Sequence, residues 1–155
     1  MSTELNTKLQ KHIHDWIHLH REEGTVFLQR LVRLPSVQGN EQEAQLLIAD
    51  KLRDLGLDVE VWEPDGEVLA EHPYFCSPRD RFMGSPNVVG VLKGSGGGRS
   101  LLLNGHMDVV PEGHREQWND APYSGNVMDG KLYGRGATDM KGGNVSLLLA
   151  IEAVK

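Results

Sequence analysis

The sequence predicts an α/β fold in which helices cover a mixed sheet. Three observations lead there. Helical and strand periodicities alternate along the chain. The run Leu101-Leu102-Leu103 is apolar on consecutive residues, as in a strand shielded on both faces. Glycine reaches 18 copies, concentrated after Gly84, where tight turns and close backbone approaches are needed.

The elements follow in order. Leu9, Ile13, Trp16, Ile17 and His20 share a helical face, continued by Val26, Phe27, Leu31 and Leu34. Gly24 is a candidate break within this helix, and Pro35 ends it. After a loop over 36–40, Asn40 is expected to cap a second helix, with Glu43 as the reciprocal partner of a capping box. That helix buries Ala44, Leu47, Ile48, Leu52 and Leu55 and stops at Gly56. Val59 and Val61 then alternate with Glu60 and Trp62, a strand pattern. Residues 64–86 contain Pro64, Pro73, Pro78 and Pro86 and read as a long loop, a length usually tied to function or mobility. Residues 87–92 form a strand, which the glycine-rich turn at 94–98 can pair antiparallel with a strand over 100–104. A last strand is expected near 127–133 and a helix over 140–155.

The bulk numbers fit one domain over residues 1–155. A net charge of −6, from 22 acidic and 16 basic residues, gives no general attraction to phosphate backbones and argues against nucleic acid as a partner. No stretch approaches the apolar length of a membrane span, so no membrane partner is expected. The single cysteine, Cys76, has no second thiol for a disulfide or a metal pair, which fits a reducing, cytoplasmic setting.

Chemistry concentrates in two glycine-framed segments. In Gly105-His106-Met107-Asp108-Val109-Val110-Pro111, a histidine stands where a strand runs out into a loop, the place where ligands gather in open α/β sheets. Imidazole suits zinc, and a carboxylate two residues on can hold the other ring nitrogen and set the tautomer. Taken alone, His-x-Asp equally describes a turn histidine beside a solvated aspartate. In the second segment, Gly134-Arg135-Gly136-Ala137-Thr138-Asp139-Met140-Lys141-Gly142-Gly143, an aspartate lies at the head of a helix. Backbone N–H groups there favour its ionised form, which a metal ligand needs, although a simple helix cap has the same pattern. A phosphate loop is excluded. Asp139 replaces the third glycine of a dinucleotide fingerprint, and its charge would repel pyrophosphate.

Together with Trp118, Pro122-Tyr123 and Leu31-Val32-Arg33-Leu34-Pro35-Ser36-Val37, these segments closely resemble one family of two-zinc amide hydrolases. It includes acetylornithine deacetylase, succinyl-diaminopimelate desuccinylase, aminoacylase and carboxypeptidase G. The resemblance runs from about Glu22 to the end, with 64–86 looking like an insertion. It implies the amino-terminal part of a peptidase-like catalytic domain, without the smaller lid domain. It further implies His106 as a ligand of one zinc, Asp108 as the catalytic-site residue that orients His106, and Asp139 as the bridge between two zincs. Cobalt(II) would be a substitute metal. Paired metals would polarise an amide carbonyl and activate water, and a glutamate would move protons. The family's Glu-Glu pair and its later acidic and histidine ligands have no counterpart after Asp139, where Glu152 is the sole carboxylate. Two ligands are fewer than the three protein groups a catalytic zinc requires, so the chain alone is expected to be inactive. The expected substrate is a small N-acyl amino acid or a short peptide, with a homodimer open for the full-length protein.

Other residues receive structural readings. His14 and His18 belong to a solvated helix face, Trp118 packs the loop after Asp108, and Arg135 pairs with a nearby acid. Cys76 lacks the companions of a nucleophile.

Overall fold

A computed structural model describes residues 3–155. Four helices and two strand pairs follow one another as α1 (Thr3–Val32), α2 (Gln42–Asp54), β1 (Asp58–Trp62), α3 (Gly66–Ala70), β2 (Asn87–Val91), β3 (Asn126–Met128), β4 (Lys131–Tyr133) and α4 (Gly142–Val154). Among the described residues no helix is long and apolar enough to cross a membrane.

The α1 stripe is continuous, and Gly24 does not break it. The glycine answers a tertiary need. A Cβ there would lie 2.8 Å from Leu149 Cδ1, so its absence lets α4 lie against α1. Gly24 meets Leu149 and Leu28 approaches Gly142, so the two helices run antiparallel. Phe27, Leu31, Ala44, Leu52, Leu57, Met107, Val145 and Leu148 form the core between α1, α2 and α4. The helix ends before Leu34, because the residue preceding proline is pushed out of the α region.

β1 pairs antiparallel with β2 in the register Val59↔Gly90, Val61↔Val88. The half-buried positions Val59, Val61, Val88 and Gly90 share the face turned to α2. Gly90 is required there, since a Cβ would press on Leu57 and Leu52 at 3.0 and 3.1 Å. The expected partner of β2, residues 100–104, is not a strand. It has no regular secondary structure, and Leu101 and Leu102 are 82% and 88% exposed. β2 takes β1 instead, and a strand without a neighbour has no acceptor for its N–H groups. The α/β class holds, but the sheet consists of two separate antiparallel pairs. The second pair, β3–β4, resolves the single strand expected at 127–133 into a hairpin. Its turn residues Asp129 and Gly130 have φ 51° and 72°, the left-handed pair that makes Asp-Gly a hairpin turn.

The capping box at α2 does not form. Asn40 Nδ2 donates to the Pro35 carbonyl at 2.9 Å, and Glu41 occupies the cap position without a side-chain cap bond. Glu41 is drawn elsewhere. Its carboxylate accepts the Gly39 N–H at 3.0 Å, the Ser85 hydroxyl, and Arg79 Nη1 at 3.3 Å. Arg79 Nη2 donates to Ser85 Oγ at 2.7 Å, and its guanidinium lies 5.2 Å from the Phe82 ring. The segment 64–86 is therefore an ordered excursion with its own short helix, α3, capped by Asp65. A largely buried ion pair latches it to the turn before α2. Replacing Arg79 by Ala should leave the Glu41 carboxylate without its cation, costing roughly 2–4 kcal/mol. In limited proteolysis, cleavage should then shift into 64–86; an unchanged digestion pattern would mean that the pair does not hold the segment.

Candidate metal centre

Three elements meet at the site. The turn at 36–40 holds the segment carrying His106 and Asp108. Ser36 Oγ donates to the Met107 carbonyl at 2.6 Å, the Val109 N–H donates to the Ser36 carbonyl at 2.8 Å, and Val37 bridges Val109 in parallel. Asp139 lies in an irregular turn, Ala137–Lys141, entered through Gly136 at φ 79° and followed directly by α4. Asp139 itself is extended (φ −123°, ψ 100°), outside the helix it precedes.

Lys141 anchors this turn. It is fully buried, and its Nζ donates to the carbonyls of Leu31 at 2.9 Å and Leu34 at 2.7 Å, at the carboxyl end of α1. A cation there meets the negative end of the helix dipole and adds a second donor to the Leu31 carbonyl, which already accepts the Leu34 N–H at 3.2 Å. Its stem passes Gly136, where an added Cβ would collide with Val109 and crowd Lys141 Cδ at 3.4 Å. One side chain thus brings the end of α1, the residue after Asp108 and the Asp139 turn together.

The structure places all three sequence-predicted site residues side by side. His106 Nε2 lies 3.0 Å from Asp139 Oδ1. On the other side of the ring, Nδ1 lies 3.1 Å from the Asp108 carbonyl and 3.3 Å from Asp108 Oδ1. Asp108 therefore meets the ring with its main chain as well as its carboxylate. With Nδ1–H donating to Asp108, a neutral ring would turn its Nε2 lone pair toward the Asp139 carboxylate. Two acceptors at that distance repel unless a proton or metal cation stands between them. Burial alone lowers the His106 pKa. The Asp108 carbonyl, the Asp139 hydrogen bond and the charges of both carboxylates outweigh it, so the value is raised. Asp139 is 85% exposed at the side chain and reachable from solvent.

The donor chemistry, one imidazole nitrogen and one carboxylate oxygen converging on one point, fits zinc. A tetrahedral ion at ordinary bond lengths would separate these donors by roughly 3.3 Å, close to the spacing found. Among the described residues no group of three or more His, Cys, Asp or Glu gathers around such a point. The set is therefore suitable in kind and partial in number.

Around the pair, residues that sequence reasoning passed over hold the backbone. Met140 Sδ accepts the His106 N–H at 3.3 Å, and Asn144 Nδ2 donates to the His106 carbonyl at 2.7 Å. Asn144 follows the Gly142-Gly143 pair, but only its place on the first turn of α4 brings it to His106. Trp118 packs the loop after Asp108 as expected, with Nε1 donating to the Glu112 carbonyl at 2.9 Å. Arg135 departs from expectation. It has no acid partner among the described residues; its guanidinium lies 5.1 Å from the Trp118 ring, and Nη2 donates to the Glu112 carbonyl at 3.3 Å. The Glu112 carboxylate is taken by the Tyr123 hydroxyl at 3.1 Å. Burial and then that contact hold the Tyr123 pKa above its ordinary value. His14 and His18 are exposed on α1, and Cys76 is an exposed free thiol.

The α/β scaffold that presents this histidine and aspartate is similar to that of dipeptidases of known structure. Human carnosine dipeptidase 1 superposes with a TM-score of 0.70 at 26% identity, covering 92% of this chain and 30% of that one. The Saccharomyces cerevisiae dipeptidase Dug1p shares the fold, with a TM-score of 0.73 at 20% identity over the same shares. Residues 102–155 match the model of peptidase family M20/M25/M40. Succinyl-diaminopimelate desuccinylase of Methylorubrum extorquens is 41% identical over 126 residues, 81% of this chain and 29% of that protein. The N-formyl-4-amino-5-aminomethyl-2-methylpyrimidine deformylase of Halalkalibacterium halodurans is 34% identical over 140 residues, 87% of this chain and 29% of that protein. The chain thus spans less than a third of the length of these curated relatives.

Burial pulls the Lys141 pKa down to about 8. The unfolded chain, with an ordinary lysine, then binds more protons than the folded one between about pH 8 and pH 10.5. Stability from this group should rise across that window and stay level below it. Lys141→Met removes the ammonium from both carbonyls, leaving Leu31 with the Leu34 N–H alone, and should cost about 1–3 kcal/mol at pH 7, offset in part by removing a buried charge. Urea unfolding of both proteins at pH 7 and pH 9.5 checks this: the gap should widen with pH, and a constant gap would contradict it.

Proposed function

We propose that this chain contributes part of the catalytic domain of a zinc-dependent amidohydrolase that removes an acyl group from the nitrogen of a small amino-acid-like substrate. One observation supports this above the others: His106 Nε2 and Asp139 Oδ1 converge at 3.0 Å with Asp108 holding the far side of the ring. The relatives named for a desuccinylase and a deformylase favour acyl removal from nitrogen; the dipeptidase neighbours make short peptides the second substrate class.

In this reading His106 and Asp139 would hold zinc through Nε2 and the carboxylate. Asp108 keeps Nδ1 protonated, so that Nε2 presents its lone pair. Zinc, when bound, supplies Lewis acidity to the scissile carbonyl and lowers the pKa of water. Lys141 and Gly136 keep Asp139 at its distance from His106 without touching substrate. Glu152, the sole carboxylate after Asp139, is committed to Lys51 at 2.7 Å. The exposed thiol of Cys76 suits a reducing, cytoplasmic setting.

In the full-length gene product, His106→Ala and Asp139→Asn should each lower zinc affinity by at least tenfold and kcat/KM by three or more orders of magnitude. Asp108→Asn should do less to metal binding than either. A panel of N-succinyl, N-acetyl and N-formyl amino acids and dipeptides would read out the acyl group. Full activity in Asp139→Asn would sink the proposal.

A further inference from the structure

The segment before His106 supplies little to hold it. Residues 101–104 have no strand partner among the described residues, and Gly105, with no side chain to pack, joins them to the histidine. The support comes from the other side. The His106 N–H is taken by Met140 Sδ, and the His106 carbonyl by Asn144 Nδ2 at 2.7 Å. Met140 follows Asp139 directly, and Asn144 lies on the first turn of α4. Both main-chain polar groups of His106 are thus tied to the segment that presents Asp139. The fit at Asn144 is close, because a Cβ on Gly105 would collide with Asn144 Oδ1 and lie 3.2 Å from Cγ. Glycine at 105 is what lets the carboxamide lie across the backbone and reach the next carbonyl.

We propose that Asn144 is a positioning residue for the metal centre: it fastens the main chain of His106 to the helix whose start presents Asp139, and so sets the separation of the two donors. The proposal rests on the metal-binding reading above. A binding constellation loses function when its donors move by about half an ångström. The contact joins a ligand that follows an unpaired stretch, residues 101–104, to a segment anchored through Lys141. Gly105 and Asn144 act as one device, a slot and the side chain that fills it.

The test uses the full-length gene product and its Asn144→Ala, Asn144→Asp, Gly105→Ala and Gly105→Ala/Asn144→Ala variants, with Leu148→Ala as a control for general destabilisation. Zinc affinity is measured by chelator competition, the cobalt(II) absorption band reports donor geometry, and melting temperature is taken without metal. Asn144→Ala should weaken zinc binding about tenfold and shift the cobalt band. Asn144→Asp, the same shape with an acceptor in place of the donor, should be at least as impaired. Gly105→Ala should be impaired because it displaces the carboxamide, and the double variant should be no worse than Asn144→Ala, since the two changes break one contact. Leu148→Ala, buried on the same helix, should lower the melting temperature and leave zinc affinity and the cobalt band unchanged. Unchanged affinity in Asn144→Ala would overturn the inference, as would losses that simply multiply in the double variant or track melting temperature in Leu148→Ala. A wild-type protein that binds neither zinc nor cobalt would remove the metal-binding reading itself, and the inference with it.

Discussion

A buried ammonium at the end of a helix is the constraint on which the rest of this structure depends. Lys141 reaches the carbonyls of Leu31 and Leu34, more than a hundred residues earlier in the chain, and leaves none of its own surface in water. Such a group is costly to bury unless its donors are used, and here the carbonyls of Leu31 and Leu34, at and just past the end of α1, receive them. The result is a joint between the first helix and the last. It forces the turn between Gly136 and Lys141 against Val109, and Val109 is bridged to Val37. The Asp139 turn and the His106 segment are therefore mounted on the same end of α1.

The polar pair at that joint has an electrostatic logic of its own. Asp108 occupies one ring nitrogen of His106 and Asp139 faces the other. Carboxylates on both sides favour a positive charge at or beside the ring, and the raised pKa of the imidazole shows the same preference. A proton meets that preference in one way and a divalent ion in another, so proton and metal compete for one place. The arrangement has the charge and donor chemistry that suit a cation, with two donors facing one point.

The ordered excursion between β1 and β2 adds a second anchoring point. Its latch, Arg79 on Glu41, acts on the turn that also supports Met107 and Val109 through Ser36. Two long-range polar contacts, one from Lys141 and one from Arg79, thus converge on the short stretch between α1 and α2. Neither shows in local periodicity. The capping box expected between Asn40 and Glu43 fails because the Asn40 side chain donates to the Pro35 carbonyl and Glu41 takes the cap position, its carboxylate turned to Arg79 thirty-eight residues away.

Much of the local structure was legible in the sequence. The α1, α2 and α4 stripes, the alternation in β1 and the two glycine-framed segments follow from side-chain spacing, which depends only on near neighbours. His106, Asp108 and Asp139 were legible as candidates because their chemistry is written in residue type and motif. What periodicity could not decide was pairing: which strand β2 would join, why Gly24 lies unbroken in a helix, and that 101–103 would stay unpaired. Nor could it find Asn144 and Lys141, whose roles arise from contacts 38 and more than 100 residues apart. The sequence by itself determined the elements and the donor atoms; only the tertiary structure decided which backbone groups hold those donors 3.0 Å apart, because that depends on segments distant in the chain meeting in space.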